Sequence, residues 1–534
     1  NKYKIMGSIK LYFILSLIIS MSFVKGFDGI PKESTYCATW ASSQYLTENN
    51  NLPPIPLSNN SIRQIVHVTI SSPTIRLKFS NRVGDSNLEL KAVTLANSVS
   101  QGSGEIDPLT LTTLKFSGKE SVVIPPYTEI YSDPFYYPLK VQSEVAISIY
   151  FGEVPQKLTS HAGSRTFSFF EQGNKVNEVK FSHENKVAHW YVITAIEVSH
   201  SFPRKAVVCY GDSITDGRGS TDDKQNRWSD ILSKKLYLND GTINVAVVNE
   251  GIGATFARGE ALERFDRDVL DVKGATYIIV LYGVNDILFT GSTSEQIIEA
   301  YKKIIRKAHR NNRFIYGATI LPFGKNDNWS EEKEKVREEV NNWIRTARED
   351  KGGFDFFFDF DEVMKDPNDE KKMYYLYDCG DGLHPSPEGY KRMVDAIDNL
   401  RLFTLIPNFD EQKYLGELEV VDKVGVKYSL GFDVKKDEEV YIRVKGKCEG
   451  SFGFRIVINN VEGKKTSDYY YTGKLDNGDF EYSLFLKPEE TSNSIKIRRP
   501  ISTINIDKIT LTLIEVKTES GTKFFDPEEG IILE

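Results

Sequence analysis

Between positions 205 and 399, five short apolar runs, at 206–210, 243–249, 277–282, 314–319 and 354–358, alternate with amphipathic stretches at 227–236, 261–270, 294–308, 330–347 and 387–399. The runs have strand length and strand composition, and the stretches between them carry apolar residues at helical spacing. Strand and helix in strict alternation close into a parallel sheet covered on both faces. The expected fold of this region is therefore α/β, a flavodoxin-like, doubly wound parallel sheet of five strands. In such sheets ligands bind beyond the carboxyl ends of the strands. The residues that follow each run are where chemistry is to be sought.

On either side the pattern changes to strand-like alternation. Before the sheet it covers 62–70, 74–80, 88–95 and 145–150, separated by turn clusters such as Asn81-Arg82-Val83-Gly84-Asp85-Ser86, with a last strand at 191–198. After it come runs at 440–444, 454–458, 482–486, 495–497 and 509–516. A chain of 534 residues is too long for one core. The expected division is an N-terminal β-sandwich over 30–202, a catalytic domain over 203–405 and a C-terminal β-sandwich over 406–534. Asp468-Tyr469-Tyr470-Tyr471 offers either a stacking surface for sugars or aromatics packed within strands.

The formal net charge of −8 gives no general attraction to nucleic acid or to an anionic membrane. Lys2, Lys4 and Lys10 precede or open an apolar run at 11–24 that is short for a membrane span and ends in small and polar residues. This is the pattern of a secretory signal over 1–26, and it implies a secreted, extracellular protein with no stable membrane association after cleavage. Four cysteines are few for such a chain, so disulfides are not its main source of stability. Cys209 and Cys379 fall beside two of the motifs below, either as a bridge or as free thiols, and Cys37 and Cys448 have no evident partners. The seven histidines are scattered without ligand spacing, so no metal or other cofactor is expected. Asp222-Asp223 and Asp359-Phe360-Asp361 read as solvated loops or caps.

Directly after the first run stands Gly211-Asp212-Ser213, which places a small alcohol on a turn where a hydrolase holds its nucleophile. Such an alcohol needs a base within hydrogen-bond reach and a partner that fixes the tautomer of that base. Asp381-Gly382-Leu383-His384 follows the fifth run and offers both from one loop. A tetrahedral intermediate further needs donors for its oxyanion. The backbone N–H of Ser213 is one, and the neutral amide of Asn285, in Gly283-Val284-Asn285-Asp286 after the third run, is another. After the second run, Asn249-Glu250-Gly251-Ile252-Gly253-Ala254 has a backbone that can approach a bound substrate closely. Singly each triplet is what any turn contains, but four in order at four successive strand ends are not.

These residues resemble the four motif blocks of the SGNH (GDSL-type) hydrolases: Gly-Asp-Ser, the glycine of the second block, Gly-x-Asn-Asp and Asp-x-x-His. The likeness extends over roughly 38–404, with 261–270 and 317–323 similar to connecting segments of secreted members. It implies a catalytic Ser213, Asp381 and His384, with an oxyanion hole formed by Ser213, Asn285 and the second block. There Ala254 occupies the position of the usual glycine, so that Gly251 or Gly253 is an alternative donor. The implied reaction is hydrolysis of carboxylic esters. Secretion and the flanking β regions point to acylated plant cell-wall polysaccharide as substrate. A lipase or lysophospholipase of the same superfamily, and a non-catalytic carbohydrate-binding protein, are the other readings.

Overall fold

The computed structural model describes residues 35–200, 204–238, 245–347, 352–398 and 402. It adds, by backbone alone, strands at Lys427–Val434, Val440–Asn460, Lys465–Leu486, Ser492–Arg498, Ile506–Thr518, Gly521–Phe525 and Ile532–Leu533. The segment read as a signal at 1–26 lies outside the described residues.

Each of the five apolar runs forms a strand: β1 (Lys205–Gly211), β2 (Val245–Gly251), β3 (Ala275–Leu281), β4 (Phe314–Ala318) and β5 (Phe356–Phe358). They pair in parallel in the order β2-β1-β3-β4-β5. Gly211 is in register with both Gly251 and Leu281, so the carboxyl ends of β1, β2 and β3 reach the same level. The chain steps one way from β1 to β2 and the other way from there on. Right-handed crossovers then place the connecting helices on opposite faces. Val207, Val208 and Cys209 of β1 and Ile278, Ile279 and Val280 of β3 are buried in the resulting core.

The helices are α1 (Ser213–Asp216), α2 (Trp228–Leu238), α3 (Glu260–Glu263), α4 (Val284–Thr290), α5 (Ser294–Arg310), α6 (Glu331–Thr346), α7 (Phe360–Met364) and α8 (Pro387–Asp395). Their starts are written in the sequence. Thr293 and Gln296 form a reciprocal capping box on α5, Ser330 caps α6, and Ser386 caps α8 with Pro387 at its first position. The helix expected over 261–270 is the exception. It is split into α3 and a π-helical turn at Asp266–Leu270, because Arg264 between them turns inward and is buried.

The leading region contains two antiparallel sheets with a common core. One is built on Tyr36–Ala41, Ile193–Ser199 and Thr74–Ser80; the other on Ser168–Gln172, Asn60–Val68, Ser143–Phe151 and Leu88–Asn97. Ile75, Leu77 and Ile196 of the first meet Ile62, Val66, Val93 and Ile147 of the second, and the cluster extends to Ala206 of β1 and Ala246 of β2. Hydrogen bonds also cross to the α/β region: Ala38 N donates to Lys273 O at 2.9 Å, and Val247 N to the Thr69 hydroxyl Oγ1 at 3.3 Å. A third small sheet joins Tyr45–Leu46, Thr159–Ala162 and His189–Tyr191. It carries the loop that reaches the candidate site.

In the trailing region the runs at 440–444 and 454–458 are parts of one strand, Val440–Asn460, paired along its length with Lys465–Leu486. Tyr469, Tyr470 and Tyr471 stand opposite Ile456, Arg455 and Phe454 in that ladder. Their side chains, and that of Cys448, lie outside the described residues. Among the described residues no helix is long and apolar enough to cross a membrane.

Candidate active site

Ser213 is the first residue of α1, immediately beyond β1. Asp212 caps that turn by accepting from Ile214 N at 3.0 Å, which leaves the Ser213 N–H at the helix start without an intrahelical acceptor. Burial, with Asp286 nearby, raises the Asp212 carboxyl to about 7. Ser213 Oγ lies 2.8 Å from His384 Nε2.

The loop 378–386 explains why Asp and His three residues apart can act together. Asp381 Oδ1 accepts from Leu383 N at 3.0 Å and His384 N at 2.8 Å, and Asp381 Oδ2 lies 2.7 Å from His384 Nδ1. The carboxylate thus folds its own loop while it holds the imidazole. Asp378 supports it by accepting from Gly380 N and Gly382 N and by pairing with Lys325 at 2.9 Å. Gly382 has φ of +69°, and a Cβ there would come within 2.6 Å of the Lys325 backbone, so only glycine fits. Beyond the loop, Ser386 N donates to Tyr377 O and starts α8.

A donor at Nδ1 leaves Nε2 as an acceptor facing the serine hydroxyl. Burial lowers the proton affinity of His384, Asp381 opposes this, and the charges of Arg218 and Arg165 add to the lowering. Burial works against the charge of Asp381 too, but the hydrogen bonds from the His384 backbone and ring and from Leu383 N hold its carboxyl at about 2.

The predicted oxyanion residues are sorted by their hydrogen bonds. Asn285 stands in the first turn of α4 and is buried; its Nδ2 donates to Thr255 O at 3.0 Å, which uses one of its two protons. Gly251 is displaced from the role, because its N–H is committed to Asn249 Oδ1 at 2.9 Å. Gly253 borders the serine: a Cβ on it would lie 3.8 Å from Ser213 Cβ. Ala254 adopts φ of +60°, the left-handed conformation that explains a glycine in its place, and its N–H has no acceptor among the described residues.

Residues 209–392 match the model of the GDSL-like lipase/acylhydrolase family. This segment is a GDSL-like acylhydrolase domain. The family match implies hydrolysis of ester bonds. Solved structures similar to the chain include a GDSL-like lipase from Bacteroides thetaiotaomicron, 20% identical over 36% of this chain and 85% of that one with a TM-score of 0.29. A member of the lipolytic G-D-S-L family from Veillonella parvula is 19% identical over 36% and 95%, at 0.28. An acetyl-xylooligosaccharide esterase from Geobacillus Stearmophilus, solved as a mutant, is 18% identical over 36% and 91%, at 0.29. No curated protein matches the chain.

Several residues that shape the site were given no role by the motif reading. Asp286 accepts from Ala257 N at 2.8 Å and Arg258 N at 3.1 Å, and so anchors the loop that carries Gly253 and Ala254. Arg264 ties the strand ends together: it donates to Gly211 O at 2.9 Å, Glu250 O at 2.8 Å and Tyr282 Oη at 2.6 Å, and to Ser43 Oγ of the leading region at 2.9 Å. His161, also from the leading region, donates through Nδ1 to Ser43 O at 2.8 Å and places Nε2 3.0 Å from Asp216 Oδ1 at the end of α1. Asp286 stood in the Gly-x-Asn-Asp block and Arg264 in the helical stretch at 261–270, while nothing in the sequence marked His161.

One expectation needs correction. Asp361 is not solvated: it is buried and paired with Arg337 and Arg345 of α6, and Asp359 caps α7 while also pairing with Arg345. Of the two readings open for Cys209 and Cys379, free thiols hold; the first is buried inside β1 and the second is exposed on the loop. Asp378, Cys379 and Asp381 lie close enough to be considered as metal ligands. Asp378 and Asp381 are already filled by backbone N–H groups, Lys325 and His384, so the cluster is built for protons and amides rather than a cation.

Proposed function

We propose that the protein is a secreted serine esterase of the SGNH type that removes acetyl or other small acyl groups from plant cell-wall polysaccharide. In this reading a β-sandwich over 30–202 and a second over 406–534 flank the catalytic domain, and the trailing one serves polymer binding. The observation that carries the ester chemistry is the continuous relay from Ser213 Oγ through His384 to Asp381, at 2.8 and 2.7 Å.

Each role in acyl transfer then falls to a residue of the chain. Ser213 Oγ attacks the ester carbonyl as His384 Nε2 takes its proton, and Asp381 stabilises the imidazolium. The N–H groups of Ser213 and Ala254 and the remaining Nδ2 proton of Asn285 receive the oxyanion. His384 returns the proton to the leaving alcohol, which departs and leaves an acyl group on Ser213. Water, deprotonated by His384, then attacks the acyl-enzyme; the bond to Ser213 Oγ breaks as His384 returns the proton to it, and the acid is released.

The polysaccharide part of the reading is supported by the basic-then-apolar start of the chain and by the β regions on both sides of the acylhydrolase domain. It is tested by acyl release from acetylated xylan, acetylated pectin, feruloylated sugars and aryl esters of rising chain length. Release of acetate from one polymer supports it; a steady rise in rate with acyl chain length on lipid-like esters overturns it in favour of a lipase.

A further inference from the structure

The loop His161-Ala162-Gly163-Ser164-Arg165 brings the leading region to the edge of the ester site. Arg165 Nη2 lies 3.5 Å from Asp216 Oδ2, on the last residue of the turn that begins with Ser213. A Cβ on Gly253 would be 3.7 Å from the same Asp216 Oδ2 and 3.8 Å from Ser213 Cβ. The guanidinium, the oxyanion loop and the nucleophile therefore converge around one carboxylate.

That carboxylate does not use Arg165 up. Its other oxygen is taken by His161, and the contact to Arg165 is long for a charge-assisted bond. Arg165 Nε is buried without a hydrogen-bond partner, while the side chain as a whole is 24% exposed. The backbone is arranged to keep the group there. Arg165 has φ of +55°, uncommon for a side-chain-bearing residue, and its carbonyl is pinned by Asp223 N at 2.8 Å. Gly163, at φ of +74°, leaves the space: a Cβ there would meet Arg165 Nη2 at 2.9 Å.

Arg218, just past α1, adds a second guanidinium; it is exposed, and its side chain has no ion-pair partner among the described residues. Both charges reach His384 and weaken it as a base. In a chain of net charge −8, two incompletely paired arginines beside a nucleophile mark a place for an anion.

We propose that Arg165, with Arg218, forms a carboxylate subsite at the ester site, and that the substrate carries its acyl group close to a carboxylate, as an acylated uronic acid residue does. The planar fork of Arg165 suits a carboxylate bidentately, and Arg218 adds charge from the open side. The inference rests on the esterase reading above and narrows its substrate class.

The test uses the full chain and compares kcat/KM for acetate release from O-acetylated galacturonan as the free acid and after methyl esterification of its carboxyl groups, with an aryl acetate alongside. The expected result is a preference for the free acid of about tenfold or more, the size of one charge-assisted contact. Arg165→Gln should bring the ratio of the two rates toward one, and Arg165→Lys should restore part of it. A wild-type ratio near one overturns the subsite without any variant having to fold. So does an Arg165→Gln ratio equal to that of wild type. If the aryl acetate is cleaved while the ratio is one, only the subsite fails; if no ester is cleaved at all, the esterase reading fails with it.

Discussion

Two histidine–carboxylate pairs stand at the ends of the same turn, Ser213–Asp216, and their second partners differ. His384 meets Asp381 at 2.7 Å and His161 meets Asp216 at 3.0 Å, so the carboxylate side hardly separates them. The other ring nitrogen does. For His384 it faces a serine hydroxyl, which can give a proton; for His161 it faces the carbonyl of Ser43, which can only accept. The first imidazole can take up a proton from its neighbour, whereas the ring of the second is held between two acceptors and faces no proton donor. Exposure separates the carboxylates but not the rings: Asp381 is 37% exposed and Asp216 6%, while His384 and His161 are 5% and 4%. A histidine beside an acid is a base or a clamp according to its second partner.

Substitutions at the two pairs should therefore part company. Ser213→Ala removes the proposed nucleophile and should lower kcat for ester hydrolysis by about four to six orders of magnitude with the fold intact. Asp381→Asn leaves the geometry but frees the tautomer, with an expected loss of about 10⁴-fold in kcat. Equal rates for wild type and Ser213→Ala on all short-chain esters would remove the distinction, since neither histidine would then be a base.

His161→Ala should act first on stability. It leaves Asp216 buried with only the long contact to Arg165, a change that typically costs about 3–5 kcal/mol. Thermal and urea unfolding would read this as a lowered midpoint, together with loosening of the leading region from the acylhydrolase domain. An unchanged midpoint with activity lost at the level of Ser213→Ala would make His161 a catalytic group and undo the comparison.

Smaller effects sharpen it. Because burial and the arginine charges lower the proton affinity of His384, the acid limb of kcat/KM should have its midpoint below 6.5, the ordinary value for histidine. Asp381, held at about 2, stays ionised across that limb. Replacing Arg165 or Arg218 by Gln removes a positive neighbour, stabilises the imidazolium, and should move the midpoint to higher pH. Ala254→Gly is the mildest change. It relieves a left-handed alanine and should keep activity, with stability raised by about 1 kcal/mol at most, since the more flexible unfolded chain offsets part of the gain.

The contrast also shows what a sequence discloses. Ser213, Asn285, Asp381 and His384 were legible because each follows an apolar run, and the alternation of runs already implied where the strand ends meet. His161 and Arg165 were not, because they come from a loop of another region and face the site through tertiary packing alone. The same limit hid Asp361, whose arginine partners lie on α6, and made Ala254 look like a departure until its backbone angle was known. Local pattern reveals groups that share an element; it is silent on pairs assembled from two.

The account turns on Ser213 being the group that His384 activates. Treating the full chain with an aryl fluorophosphonate and locating the adduct by peptide mass spectrometry tests this directly. A single stoichiometric adduct on Ser213, abolished in His384→Ala, is the predicted result; an adduct on another residue, or ester hydrolysis that survives complete labelling of Ser213, would contradict it.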